Sequence, residues 1–231
     1  MAILRRTFAI VVALLLAATV APAPASAAPV ITITFVRHAE SQANASGLID
    51  TSVPGPSLTP KGEQQAKDAA VQLSQTPHDG IYASSMIRTQ QTAQPLADEL
   101  GQQIVILPGL REIEAGEFEG QPERDAGTGY LRPLEQWLKG DRNARIPGSI
   151  DGNEFDARFD EAVDAIYRSG QQRPVAFSHG AAITMWTMMN VANPPLELAQ
   201  SQPLPNTGYV LVQGNPADGW RLLDWNGTKL G

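Results

Sequence analysis

The chain has no cysteine among its 231 residues. That absence excludes disulfide bonds, thiol nucleophiles and cysteine-ligated zinc. Histidine appears three times, at His38, His78 and His179. Basic residues are also few: 17 Lys and Arg stand against 24 Asp and Glu, a net charge of -7. No basic stripe or run is present, which argues against nucleic acid and anionic membrane surfaces as partners.

Long apolar runs are missing beyond the first 27 residues. Within those, Arg5 and Arg6 precede Phe8 to Val20, an apolar stretch too short for a spanning helix. Ala21 to Ala27 is rich in Pro and Ala and ends in the small-x-small pattern Ala25-Ser26-Ala27. Together these predict a signal peptide cleaved after Ala27, by the general or the twin-arginine route. The expected product is a secreted chain of 204 residues (231 less 27) with 15 basic and 24 acidic groups, a net charge near -9. Without cysteine it has no lipid-modified cysteine to anchor it, and no stable membrane association is expected. A length near 200 suits one α/β domain.

What is present is chemistry at strand ends. Ile31 to Val36 mixes β-branched and apolar residues as a buried strand does, and Arg37-His38 follow at once. A second strand, Pro174 to Ser178, also ends on a histidine, His179, with a helical run after it (Ala181 to Met189). Ligands gather at the carboxyl ends of strands in open α/β sheets. A strand-end histidine can serve as nucleophile, base or ligand, and an adjacent arginine suits phosphate or carboxylate.

Between these two strands lie further elements. Ala39 to Pro60 reads as a long loop rich in Ser, Gly, Asn and Pro. Thr59 caps a helix from Pro60 to about Ser74. His78 stands in an exposed turn, and Gly80 to Ser84 is a short strand. Ser85 caps a helix over Met86 to Leu100, with Arg88 in its first turn. Ile104 to Leu107 is a third strand. Leu110 to Gly120, with four glutamates and two glycines, reads as a loop over the site, and Glu114 and Glu119 as solvated carboxylates. Residues 121–153 read as a lid insertion with an amphipathic piece at Tyr130 to Leu138. A helix spans Glu154 to Ser169. Asn193-Pro194-Pro195 stops the later helix, and 206–212 with 220–225 predict a closing antiparallel hairpin in which Trp220 and Trp225 pack.

Arg37, His38, Arg88, Glu112 and His179 make sense as one phosphate site. Two arginines and one histidine can surround three phosphoryl oxygens while the other histidine attacks phosphorus. A carboxylic acid can protonate the departing oxygen. No cluster with metal-ligand spacing is present, so no metal or other cofactor is expected.

The chain resembles the histidine phosphatase superfamily, in the branch of the cofactor-dependent phosphoglycerate mutases and related acid phosphatases. Arg37-His38-Ala39-Glu40-Ser41 with Asn44 resembles the Arg-His-Gly-Glu-Ser-x-x-Asn signature. Leu58-Thr59-x-x-Gly62-x-x-Gln65-Ala66, Tyr82-Ala83-Ser84-Ser85-x-x-Arg88-x-x-Gln91-Thr92-Ala93, Leu110-x-Glu112-x-x-x-Gly116-x-Phe118-Glu119-Gly120 and Ser178-His179-Gly180 follow in the family's order. The resemblance implies a three-layer α/β/α fold with a mostly parallel central sheet. It implies phosphorylation of His38 on one ring nitrogen, the other being held by a backbone carbonyl. Arg37, Arg88 and His179 are then phosphate contacts, with Asn44 assisting, and Glu112 is the proton donor. Ala39 replaces the usual glycine and is expected to narrow the pocket beside His38.

A secreted phosphatase acting on a small-molecule phosphate ester is the reading these features favour. A mutase shares the first half-reaction, but its glycolytic substrates are cytosolic. An inactive binding module would have lost a catalytic residue, and none is lost. Candidate substrates are sugar phosphates, nucleotides, polyphosphates and phosphoproteins, with the rim at 43–57 and 121–153 deciding among them.

Overall fold

The computed structural model describes residues 28–230, so the expected signal peptide, residues 1–27, lies outside the described residues. One seven-stranded sheet runs through the molecule in the order β3-β2-β4-β1-β5-β6-β7. β1 (Ile31–Arg37) and β4 (Pro174–Ser178) pair in parallel at its centre. β2 (Gly80–Ala83) joins β4 in parallel, and β3 (Ile104–Ile106) joins β2 in parallel at the edge. On the other side β5 (Tyr209–Asn215), β6 (Gly219–Trp225) and β7 (Thr228–Lys229) add as an antiparallel meander.

Helices cover both faces, which explains why β1 is apolar on both sides. Val36 and Phe177 face a small-residue layer: Ala70 of α2 (Pro60–Leu73) and Ala93, Leu96 and Ala97 of α3 (Ile87–Leu100). Ile31, Ile33 and Phe35 point the other way, into the larger core. There Phe155 and Phe159 of α5 (Gly152–Arg168) meet Trp186 of α6 (Gly180–Asn190). Phe35 lies edge-on to Trp186 at 5.3 Å, and Phe159 stacks on it at 5.4 Å. Trp220 and Trp225 pack here as expected.

Several local expectations change. The loop after His38 contains α1 (Gln42–Ser46), closed by a reciprocal cap between Ser41 and Asn44. Met86, not Ser85, precedes α3, and it makes no side-chain cap. α5 begins two residues early because Asp151 and Glu154 form their own capping box. The Pro194-Pro195 stop is followed at once by α7 (Leu196–Ser201). Residues 206–208 turn rather than extend, and Thr207 takes φ +59°. His78 is buried, not exposed: its Nδ1 donates to the Arg173 carbonyl at 3.1 Å. Within 121–153, α4 (Leu131–Leu138) buries Leu134 and Trp137 in the large core.

Candidate active site

Parallel register explains the meeting of the two histidines. Arg37 pairs with Ser178, so the next residue of each strand emerges at the same level. The His38 amide donates to the Ser178 carbonyl at 3.0 Å. The imidazoles of His38 and His179 then lie edge to face, 5.1 Å apart.

His38 Nδ1 lies 2.7 Å from the Ala39 carbonyl, so Nδ1 carries the proton and Nε2 the lone pair. Arg88 donates from Nε to that Nε2 at 3.2 Å. Burial, followed by the charges of Arg88 and Arg37, pushes the His38 pKa well below its ordinary value, against the opposing pull of the Ala39 carbonyl. The ring is a neutral base at neutral pH.

His179 Nε2 lies 2.8 Å from Ser84 Oγ, the residue after β2. The Ser84 hydroxyl also lies 2.9 Å from that of Thr89, which donates to the Met86 carbonyl at 2.8 Å. His179 Nδ1 is buried and makes no protein hydrogen bond. Burial, helped by Arg88 and His38, keeps the ring neutral.

The arginines are held by backbone carbonyls. Arg37 Nη1 donates to Leu204 at 2.6 Å, and Arg88 Nη2 to Asp50 at 3.2 Å. Gly180 makes room for the first: a Cβ there would sit 3.1 Å from Arg37 Nε. Arg37 Nε and Arg88 Nη1 remain buried without a protein partner.

Glu112 rests on the amino end of α6. Its Oε1 accepts from Ala182 N at 2.8 Å and Ile113 N at 3.0 Å, and its Oε2 from Ala181 N at 3.3 Å. Burial raises its pKa from the ordinary carboxylate value and outweighs these donors. Its loop is clamped by Arg158, which donates to the carbonyls of Gly109, Arg111 and Glu112. Arg37, His38, Asn44, Arg88 and Glu112 line one cavity of about 360 Å³. His179 is fully buried beside His38 and does not itself line the cavity.

The scaffold residues of the motifs have physical roles. Gln65 accepts from Glu40 N, Gln91 from Leu58 N and Thr92 from Ala39 N. A Cβ on Gly62 would collide with the Glu40 carbonyl at 2.0 Å. Ala39 does not narrow the pocket: its methyl group is buried against Leu58 and Ala66, away from the cavity wall. Asn44 Oδ1 is engaged by Ser41 N and by Asn206 Nδ2. Glu114 is ion-paired with Arg111 and Arg158 rather than solvated. Glu119, though exposed, binds the amide and hydroxyl of Thr51.

Sequence reasoning missed Ser84, Arg158 and the 204–207 segment. Asn206 Nδ2 donates to the His38 carbonyl at 3.0 Å, and Thr207 N to the Arg37 carbonyl at 3.1 Å. The Asn-Thr-Gly triplet was a turn signal there.

This fold and this pocket define a phosphoglycerate mutase-like α/β protein whose site is built from two histidines, two arginines and a carboxyl group. Residues 33–228 match the model of the Histidine phosphatase superfamily (branch 1), and the chain belongs to that family. It is 45% identical over 217 residues to the PE-PGRS family protein PE_PGRS11 of Mycobacterium tuberculosis, covering 87% of this chain but spanning 37% of that protein. It is 36% identical over 153 residues to the "Probable phosphoglycerate mutase GpmB" of Enterobacter sp. (strain 638), 64% of this chain and 69% of that one. Among solved structures, a "Mycobacterial hydrolase 1" superposes with TM-score 0.71 at 20% identity, over 87% of this chain and 100% of its own. A mycobacterial glucosyl-3-phosphoglycerate phosphatase does so with TM-score 0.69 at 19% identity, over 86% and 100%. These two likenesses speak to the fold.

Proposed function

We propose that the protein hydrolyses phosphomonoesters through a phosphohistidine on His38. One observation carries the reading. Of six buried side-chain polar atoms without a protein partner among the described residues, three belong to Arg37, Arg88 and His179. Each unmet donor costs about 1–3 kcal/mol in a buried place. A phosphoryl group bound against His38 Nε2 offers oxygens to both arginine donors, and to His179 in the tautomer that carries its proton on Nδ1.

The steps follow from the atoms. The Nε2 lone pair of His38 forms an N–P bond as the ester P–O bond breaks. The proton of Glu112 passes to the departing oxygen, and the alcohol leaves. The Ala39 carbonyl supports the positive charge that grows on the ring. Water then attacks phosphorus, gives its proton to Glu112 and displaces His38, which returns to its neutral form. Segment 121–153 serves as the lid on the leaving-group side, where Ala126, Tyr130, Leu131 and Leu134 line the cavity.

Mutase chemistry shares the first half of this path and then returns the phosphate to an organic acceptor. Released phosphate distinguishes the two. Rapid quenching with labelled ester should trap an acid-labile, base-stable adduct. His38→Ala should lose it, with turnover down by at least about 1,000-fold. Label retained in His38→Ala defeats the reading. Export is part of the same proposal: amino-terminal sequencing of protein from the medium should begin at Ala28, and membrane-bound protein beginning at Met1 counts against it.

A further inference from the structure

We propose that the alcohol part of the substrate is apolar and uncharged, so that the phosphate is the ester's sole anionic group. This rests on the phosphatase reading. Beyond the phosphate end, Leu48, Ile49, Leu131, Leu134, Met185 and Leu204 line the cavity. Leu48 and Leu131 are 41% and 36% exposed, large apolar side chains that a ligand would take out of water.

The hydroxyl groups of this wall are already engaged. The Ser41 hydroxyl donates to Asn44, Thr51 to Glu119, Thr184 to the Gly180 carbonyl, and Tyr130 to the Ile113 carbonyl. Among the uncharged side chains of the wall, the Asn44 amide nitrogen alone is left as a donor to the hydroxyl groups of a sugar.

Charge points the same way. Arg37 and Arg88 are the only lysine or arginine side chains lining the cavity among the described residues. Both are tied on one side to backbone carbonyls and face the phosphate with the other. The remaining charged groups on the wall are acidic: Asp50 and Glu123 besides Glu112. Arg111 and Arg158 are held by Glu114 and by loop carbonyls and do not line the cavity. A second carboxylate or phosphate would be desolvated beside carboxylates, without a cation to receive it.

The test uses esters whose leaving alcohols are equally basic, so that the rates read the pocket. In the n-alkyl phosphates from ethyl to hexyl, kcat/KM should rise about fourfold per methylene until the cavity is filled. 4-Methylpentyl phosphate should exceed its carboxylate isostere, 4-phosphonooxybutanoate, by at least about tenfold, and 3-phosphoglycerate should be turned over no better than the isostere. Glu123→Gln should narrow the ratio between the isosteres, and Leu131→Arg should narrow it further. A flat chain-length series, or preference for the carboxylated esters, overturns this inference and leaves the phosphatase reading standing. If no ester at all phosphorylates His38, the phosphatase reading falls and this inference with it.

Discussion

Arg88 Nε donates to His38 Nε2 across 3.2 Å, so a guanidinium lies against the lone pair of the strand-end histidine. The proton on Nδ1 is committed to Ala39, and Nε2 therefore has no proton of its own. A phosphoryl group arriving at Nε2 takes over the Arg88 hydrogen bond as it takes the lone pair.

Arg88→Lys should be far from conservative. It keeps a positive charge but loses the planar fork and the Nε–H. A drop in kcat/KM of about 100-fold is expected, with weaker inhibition by inorganic phosphate. Arg88 also helps to lower the His38 pKa, after burial. Arg88→Ala should therefore move the acid limb of the kcat/KM profile to higher pH. A loss of activity with the limb unmoved would show that Arg88 acts on the phosphate without tuning His38.

The buried histidines make stability depend on pH in a definite direction. His38, His78 and His179 all have pKa values lowered in the folded chain, chiefly by burial. The unfolded chain takes up their protons first, near pH 6.5, so it gains relative to the fold as pH falls through that point. Stability is fully present above about 6.5 and is lost below it, down to each folded pKa. The slope approaches about 1.4 kcal/mol per pH unit for each histidine that stays neutral. Calorimetry from pH 7.5 to 5 should show a falling Tm, and His78→Gln should flatten that fall without shifting the kcat/KM profile. A Tm that is level across the range would show that these rings protonate as readily folded as unfolded.

Much of this site was legible because its residues sit where strands end. Two histidines after two apolar runs, and an arginine in the first turn of a helix, are local signals. Parallel register then did what no local signal shows: Arg37 opposite Ser178 sets His38 and His179 side by side. The missed contacts of the arginines share one cause. Arg37, Arg88 and Arg158 are all held by main-chain carbonyls, which every residue carries. Leu204 is 167 residues from its arginine, and nothing in its side chain announces the contact. Ala39 was misjudged for a related reason: one methyl group can face the pocket or the scaffold, and only the packing of Leu58 and Ala66 decides. His78 looked exposed because polar turn residues flank it, while its ring turns inward to a carbonyl 95 residues away.

Thr207 offers a test of that hidden support. A β-branched residue at φ +59° is strained, by about 1–2 kcal/mol. Its amide meanwhile holds the Arg37 and His38 carbonyls. Thr207→Gly should relieve the strain and leave Tm unchanged or slightly higher, since glycine's chain entropy offsets part of the gain. The looser turn should lower kcat about three- to tenfold through poorer placement of Arg37 and His38. A large loss of Tm would show that Thr207 is held by its side chain rather than by its backbone.

Glu112 stands apart from the other loop carboxylates, and the difference can be read in leaving-group dependence. A general acid matters in proportion to the basicity of the oxygen that it protonates, and such groups contribute about 100- to 10,000-fold. An alkyl alkoxide needs the proton and a nitrophenolate does not. Glu112→Gln should therefore cost far more with an alkyl phosphate than with nitrophenyl phosphate when single-turnover phosphorylation is compared. Glu119→Gln loosens the clamp on Thr51 and Glu114→Gln the pair with Arg111, so both should act on the two esters alike. The pH profile gives a second reading. Activity needs His38 unprotonated, which holds above a pKa pushed well below 6.5 by burial. It also needs Glu112 protonated, which holds below a pKa raised from 4.5 by burial. Alkyl-ester phosphorylation should peak on the acid side of neutrality, and the Glu112-dependent basic limb should vanish in Glu112→Gln. Equal losses with both leaving groups would remove Glu112 as the acid. Leaving-group dependence in Glu114→Gln instead would move the role two residues along the loop.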